Sequence, residues 1–158
     1  IQAPMSVIPV LNNLVGGVPV EIPEDMTHVD PAFVAGATVH LTGEQAEKFV
    51  RVRMKMEDDT NTARMSRHRI YLESFRKQAQ KAFDSDSEFT LKLVEKMSEH
   101  MQTDLTAQQL SDLLQTLDQS QILPIRTADG ELVTGAVYYE FFVDETSLSE
   151  VVKRAFCQ

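Results

Sequence analysis

The chain contains 158 residues, with a formal net charge of −9 and a sequence pI near 4.8. That length fits about one domain with a hydrophobic core of its own, and the acidic balance argues against a nucleic-acid partner, which would require a broad basic surface. Cys157 is the single cysteine, so an intrachain disulfide and a cysteine-based metal cluster are excluded. No apolar run approaches the roughly 18 residues of a membrane span, and no signal peptide is recognisable.

The first third of the chain predicts two helices that flank two short strands. Gly16 and Gly17 provide a stop for the first helix, and Pro19 favours an edge position for the first strand. Thr42 followed by Gln45 forms a capping box, which predicts the start of the second helix. In chain order, the predicted elements are a helix over residues 5–15, strands over residues 18–22 and 38–41, and a helix over residues 42–50.

A long helix is predicted to begin at Thr60 or Asn61, either of which can cap it, and to end near Phe83. Apolar side chains at spacings of three, four and seven define its predicted buried face. His68 falls on this stripe, where a partly buried, hydrogen-bonded histidine is favoured over a catalytic acid or base because no partner is identifiable. The residues of the stripe are Met65, Leu72, Phe75, Ala79 and Ala82.

The second half of the chain predicts more helices and a β-hairpin, so that one mixed α/β domain over residues 1–158 is the simplest architecture. Ser85 or Asp86 is expected to open the next helix, and Thr106 with Gln109 forms a second capping box. The expected elements are a helix along Phe89, Leu93, Val94, Met97 and Met101, a helix along Leu110, Leu113, Leu114 and Leu117, strands over residues 122–126 and 132–143 joined by a turn at residues 128–130, and a helix from Ser147.

Residues 49–72 concentrate four arginines, Arg51, Arg53, Arg64 and Arg67, in an otherwise acidic chain. Guanidinium is well shaped to bind phosphate through paired hydrogen bonds. Arg64 and Arg67 lie about 60° apart on the predicted long helix, close to its N-terminus, where the free N–H groups also favour an anion. The stretch is therefore a candidate phosphate site, although from the residues alone a solvated, salt-bridged helix face is favoured.

Two acidic residues, Asp58 and Asp59, lie between the arginine pairs. They could neutralise the arginines or help to hold a divalent cation beside a phosphate. No common motif of nucleophilic, P-loop, Rossmann or zinc chemistry occurs in the chain. The residues alone thus indicate an acidic α/β domain with one local arginine site.

The arginine stretch also carries a resemblance to a known family. The segments LTGEQAEKFVRVR and ARMSRHRIYLESF resemble the signature of the LytR-CpsA-Psr family. Upstream, VIPVLNNLVGGVPVEIPEDM is similar to the family's GGV-strand-PeDM segment, and the terminal DGELVTGAVYYEFFVDETSLSEVVKRAF is similar to its C-terminal hairpin and helix. The resemblance extends over essentially the whole chain.

The resemblance implies an α-β-α sandwich around a mixed sheet and a membrane-anchored phosphotransferase on the extracellular face of the cytoplasmic membrane. Such enzymes move an anionic glycopolymer, for example wall teichoic acid or capsular polysaccharide, from an undecaprenyl-pyrophosphate carrier to peptidoglycan. By motif, the four arginines match those that hold the pyrophosphate. Two positions of the matched motifs depart from the family, since Asn61 stands where the family usually has Asp and His68 where it usually has Gln. Both residues are candidate phosphate contacts.

The resemblance also implies Mg²⁺, whose acidic ligands the family supplies from N-terminal D-x-R and PRD motifs that do not occur in this chain. Together with the opening at Ile1, this leads us to expect an incomplete version of the family fold, with an anchor helix and the metal ligands upstream. The competing hypothesis is a non-catalytic polyprenyl-phosphate-binding or regulatory module of the cell envelope.

Overall fold

The computed structural model describes residues 2–53, 61–119, 126–135 and 139–156. The chain divides into two units, Ile1–Ile122 and Leu123–Gln158, and the interpretation of residues 1–158 as one domain stays a prediction. The helices and strands of the described ranges are α1 Val7–Leu14, β1 Val18–Glu21, β2 Thr38–Leu41, α2 Gly43–Arg51, α3 Asn61–Ser85, α4 Phe89–His100, α5 Ala107–Gln119, β3 Gly130–Thr134, β4 Tyr139–Val143 and α6 Glu145–Phe156.

In the first unit, the strands β1 and β2 form an antiparallel pair in which Val18 lies opposite Leu41. The pair follows α1 through Gly16 and Gly17, whose φ angles are 78° and 92°. Glycine adopts such angles without steric cost, so the chain can leave the helix and turn directly into the strand. The predictions of this helix, its stop and both strands are confirmed.

The second helix starts at the predicted capping box. The Oγ1 of Thr42 accepts from the N–H of Gln45 at 3.3 Å, and the Oε1 of Gln45 accepts from the N–H of Thr42 at 3.1 Å. Gly43 begins the helix directly against α1, since a Cβ at this position would lie 2.6 Å from the carbonyl oxygen of Pro9. The N–H of Gly43 donates to the Oδ1 of Asn13 at 2.9 Å. The absence of a side chain thus allows the two helices to meet closely.

A buried polar pair connects three elements of the core. The Nδ2 of Asn12 on α1 donates to the carbonyl of Leu41 at 2.8 Å, and its Oδ1 accepts from the hydroxyl of Tyr71 on α3 at 3.2 Å. Burial raises the pKa of Tyr71, so its hydroxyl stays protonated and able to donate. Around this pair, the apolar core contains side chains that are at most 2% exposed: Val18, Val20, Ile22, Met26, Phe33, Leu41, Ala46 and Phe49.

The long helix α3 has the predicted extent but a different buried face. Met65 and Leu72 are 49% and 50% exposed, whereas Arg67 and Tyr71 are 1% and 5% exposed. Neighbouring positions of a helix differ by about 100°, so a core contact at Tyr71 turns Leu72 towards solvent. The predicted stripe is therefore wrong at Met65 and Leu72. Its other members, including Phe75, are partly buried against the core.

The helices α4 and α5 follow the sequence prediction more closely. Asp86 accepts from the N–H of Glu88 ahead of α4 at 2.9 Å. Ahead of α5, the Oγ1 of Thr106 accepts from the N–H of Gln109 at 3.2 Å, and the Oε1 of Gln109 accepts from the N–H of Thr106 at 2.9 Å. The second capping box is thus confirmed. The side chain of Leu117 lies outside the described part of the chain.

In the second unit, the observed hairpin occupies residues 130–143, most of which were predicted to form its second strand alone. The strands β3 and β4 pair antiparallel, with Gly130 opposite Val143 and Thr134 opposite Tyr139. The chain therefore reverses between Thr134 and Tyr139, so the prediction of one strand over residues 132–143 is wrong, and Gly130, which was predicted in a turn, begins β3. Gly135 interrupts that run, and an isolated glycine inside a strand pattern is a sign of a break. Residues 122–125 of the other predicted strand lie outside the described residues.

The second unit exposes apolar side chains on its hairpin and on α6. Phe141 and Phe142 are 52% and 57% exposed, and Phe156 is 83% exposed. None of the described residues of this unit is buried. Within the described ranges of both units, no helix combines the length and the apolarity that crossing a membrane would require.

Asp30 connects the loop after β1 to α2. Its carboxylate accepts from the Nζ of Lys48 at 3.1 Å, from the Nε2 of Gln45 at 3.2 Å and from the N–H of Ala32 at 3.2 Å. Desolvation by burial alone would raise the pKa of Asp30. The hydrogen bonds and the charge of Lys48 outweigh burial, so the pKa lies below its ordinary value of 3.8.

We predict that Leu110→Ala and Leu113→Ala differ sharply in their cost, although they remove the same atoms from adjacent turns of one helix. Leu110 is 3% exposed, whereas Leu113 is 41% exposed. Leu110→Ala should lower the free energy of unfolding by about 2–5 kcal/mol because it leaves a cavity, and Leu113→Ala by much less. Urea denaturation of both variants checks this, and equal costs would contradict the placement of α5.

We predict that Asp30→Asn lowers Tm at pH 7 and that the difference from the wild type shrinks in acid. Because the pKa of Asp30 is lowered in the folded state, its stabilising contribution is complete above its unfolded pKa of about 4 and is lost as pH falls through the lowered value. Thermal unfolding between pH 7 and pH 2 measures this. Asp104→Asn, at an exposed position, is the control. A Tm difference between Asp30→Asn and the wild type that grows in acid would refute the prediction.

Candidate functional site

The arginine segment begins at the end of α2. Val52 ends the helix with φ −57° and ψ 133°, so that Arg51 is the last helical residue and Arg53 lies beyond the helix. Arg51 and Arg53 are both exposed. The Nη1 of Arg51 lies 2.6 Å from the Oε1 of Glu47, one turn earlier on the helix. This pair is of the solvated kind that contributes little to stability, and an anion could compete for Arg51.

Arg67 lies in a very different environment, with a side chain that is only 2% exposed. Its Nη1 donates to the Oε1 of Glu24 at 3.0 Å, and its Nη2 donates to the carbonyl oxygen of Val52 at 3.0 Å. Its Nε is buried and makes no hydrogen bond within the described part of the chain. Arg67 thus connects the loop after β1, helix α3 and the arginine segment from inside the protein.

His68 makes a second connection between α3 and the arginine segment. The residue is half-buried, and its Nε2 lies 2.8 Å from the carbonyl oxygen of Val50. A carbonyl oxygen can only accept, so Nε2 carries the proton. The prediction of a partly buried, hydrogen-bonded histidine is confirmed. Whether His68 also contacts a phosphate stays a prediction.

The remaining predicted site residues lie at the start of α3. Asn61 is its first residue, but the Asn61 side chain is outside the described part of the chain, as are Asp58 and Asp59. Arg64 is half-buried in the first turn, one turn before Arg67 and His68. Because His68 and Arg67 bind the carbonyls of residues 50 and 52, they hold the segment with Arg51 and Arg53 against the helix that carries Arg64.

Sequence reasoning missed the acceptors of this site. Glu24 was not singled out from the sequence, and the carbonyls of Val50 and Val52 carry no sequence signal. Glu24 and Arg67 are 43 positions apart, so no local pattern connects them. One signal was available. Arg67 lies one helical turn before Tyr71, on the same face of the helix, and an arginine that is buried requires an acidic partner.

The described residues do not provide a site for Mg²⁺. In the ranges that the structure covers, no group of three or more His, Cys, Asp or Glu side chains is arranged to hold a metal ion. The carboxylate of Glu24 is bound to Arg67. The donor set of the described residues therefore does not fit the cation.

A shallow pocket of about 670 Å³ in the second unit contains none of the predicted site residues. The hairpin and the start of α6 line it with acidic groups, among them Asp129 and Asp144. Both carboxylates have local partners, since Asp129 accepts from the hydroxyl of Ser147 at 3.2 Å and Asp144 accepts from its N–H at 2.7 Å. These acids stabilise the start of a helix.

The fold and the arginine segment correspond to a known class of proteins. The sequence model of the LytR_cpsA_psr family matches residues 7–156. This match covers nearly the whole chain, and the chain belongs to that family. No curated protein sequence matches the chain.

Solved structures share the fold. Lin1025 from Listeria innocua matches with a TM-score of 0.59 and 22% identity, over 97% of this chain and 63% of its own. For B. subtilis TagU the values are 0.61 and 16%, over 97% and 61%, and for B. subtilis TagV 0.65 and 22%, over 96% and 60%. The chain therefore spans about three fifths of the length of these relatives. Its mixed helix and strand fold corresponds to part of theirs, as the resemblance predicted.

We predict that His68→Gln is milder than His68→Ala. Glutamine can still donate to the carbonyl of Val50, whereas alanine leaves that half-buried acceptor without its partner. His68→Ala should lower the free energy of unfolding by about 1–2 kcal/mol, and His68→Gln by less than about half of that. Urea denaturation measures both values. An equal loss in the two variants would show that the hydrogen bond is not the stabilising contact.

Proposed function

We propose that this chain forms the arginine-bearing part of a cell-envelope phosphotransferase. The enzyme transfers an anionic glycopolymer from an undecaprenyl-pyrophosphate carrier to peptidoglycan, with wall teichoic acid or capsular polysaccharide as the polymer class. The observation that carries the proposal is the family match over residues 7–156. The exposed arginines at the end of α2 support it, since a pyrophosphate needs accessible cations.

Arg51, Arg53 and Arg64 are the proposed direct contacts to the pyrophosphate. Arg51 and Arg53 are exposed, and Arg64 lies in the first turn of α3. The N-terminus of a 25-residue helix adds backbone N–H groups and a favourable dipole near Arg64. Asn61 remains a candidate contact at the same end of the helix. The proposed contacts thus come from two elements, the end of α2 and the start of α3.

The chemistry of this site is charge stabilisation. In the proposed reaction, a hydroxyl oxygen of peptidoglycan attacks the phosphorus that carries the glycopolymer and loses its proton to solvent, and the bridging P–O bond to the lipid phosphate breaks. Negative charge then grows on the bridging oxygen, which leaves with the lipid phosphate. Guanidinium groups held in place before the reaction stabilise that charge without reorganising during the step.

The proposed location is the extracellular face of the cytoplasmic membrane, with an N-terminal anchor and Mg²⁺ as the cofactor, as the family resemblance implies. Both belong to the proposal for the protein that contains this chain. Nucleic acid is not a proposed partner, because a net charge of −9 disfavours a polyanion without a broad basic surface.

We predict that Arg53→Ala and Arg64→Ala each weaken binding of a polyprenyl pyrophosphate to the protein that contains this chain. Loss of one charge-assisted hydrogen bond costs about 1.5–3 kcal/mol, which is about a 10- to 150-fold change in Kd. Isothermal titration calorimetry measures the affinity. Glycopolymer transfer to peptidoglycan should fall in the same variants.

The matched control is Arg69→Ala, which removes an exposed arginine from the same helix and should leave the affinity unchanged. Binding that is unaffected in both Arg53→Ala and Arg64→Ala would reject the proposed site. Normal binding dependent on these arginines, but without any transfer by the wild type, would instead favour the non-catalytic binding module.

A further inference from the structure

Glu24 reaches Arg67 from a loop that is fixed in the core. It lies between Ile22 and Met26, whose side chains are 1% and 0% exposed. The N–H of Met26 donates to the carbonyl of Phe33 at 2.9 Å, which anchors the chain directly after Glu24. A loop anchored on both sides of Glu24 has little freedom to move, so its carboxylate meets Arg67 from a rigid support.

Arg67 connects the fixed carboxylate of Glu24 to the arginine segment. One terminal nitrogen binds Glu24 and the other binds the carbonyl of Val52, both at 3.0 Å. A guanidinium group is planar and rigid, so fixing one of its nitrogens also fixes the direction of the other. Val52 stands between Arg51 and Arg53. Through Arg67, the carboxylate of Glu24 thus helps to fix the backbone between the two exposed arginines, beside the second contact that His68 makes to the carbonyl of Val50.

Direct contact between Arg67 and a phosphate is disfavoured by this arrangement. The side chain of Arg67 is 2% exposed, and its charge is already balanced by Glu24. A phosphate that displaced Glu24 would separate its carboxylate from Arg67 and bring it close to a second anion, at a considerable electrostatic cost. Its burial and its ion pair thus favour a different role for Arg67 from that of the exposed arginines.

We infer that Glu24 and Arg67 are positioning residues for the binding of a pyrophosphate group. Glu24 holds Arg67, Arg67 holds the carbonyl of Val52, and the adjacent Arg51 and Arg53 are thereby presented to the ligand in a fixed arrangement. This inference rests on the proposed function. Pre-organised contacts bind more tightly because the ordering of the segment is already complete before the ligand arrives.

The test uses Glu24→Gln in the protein that contains this chain, with inorganic pyrophosphate as the probe. Glutamine has the shape of glutamate but no charge, so it holds Arg67 less firmly. We expect about a tenfold loss of affinity by isothermal titration calorimetry. In an Arg53→Ala background the same substitution should lose less than about threefold, because residues that act through one network are not additive.

Asp30→Asn is the matched control. Its side chain is 12% exposed, against 15% for Glu24, and it forms an ion pair with Lys48 in the same unit. In the described part of the chain, its carboxylate binds Lys48, Gln45 and the N–H of Ala32, none of which belongs to residues 50–53. We expect Asp30→Asn to lower Tm but to leave the affinity of the folded protein unchanged, so loss of an ion pair alone does not explain the effect of Glu24→Gln.

The outcomes separate the inference from the proposed function. Unchanged affinity in Glu24→Gln, or a full tenfold loss that persists in the Arg53→Ala background, would overturn the positioning role while the phosphate site stands. No effect of Arg53→Ala itself would instead reject the proposed site. Should Glu24→Gln fail to fold, Glu24→Asp keeps the charge but shortens the reach. Weaker binding by that variant supports the inference, and unchanged binding refutes it.

Discussion

A guanidinium group that is almost completely withdrawn from water organises the first unit around it. Arg67 is 1% exposed as a residue, and removing a charge from water costs several kcal/mol unless partners replace the water. Glu24 and the carbonyl of Val52 supply that replacement. The loop after β1, the end of α2 and the buried face of α3 must therefore keep a fixed relation, because each provides one part of the same contact.

The four arginines of the predicted site differ in their exposure to solvent, although they belong to one segment. Arg51 and Arg53 are exposed, Arg64 is half-buried, and Arg67 is buried with its charge balanced. Accessible cations can exchange water for a phosphate at little cost, whereas a buried, paired cation cannot leave its partner cheaply. The burial of Arg67 thus favours a division between residues that meet a ligand and residues that hold them in place.

Local features of this chain were predictable to within a residue or two. Both capping boxes, the glycine stop after α1 and the strands β1 and β2 depend on residues within a few positions of one another. The hairpin was displaced because the pattern of apolar residues continues through Gly135 and hides the reversal after Thr134. The face of α3 was misplaced for a related reason, since hydropathy assigns Arg67 to solvent, whereas ion pairing allows it into the core.

By itself, the sequence determined which residues could form the arginine segment, where most of the helices begin, and which family the chain belongs to. These properties depend on residue identity and short spacing. Only the tertiary structure decided which arginine is buried and which are exposed, because that depends on Glu24, 43 positions away, and on backbone carbonyls that every residue possesses. Long-range contacts of this kind are set by how the elements pack, and packing leaves no local mark in the sequence.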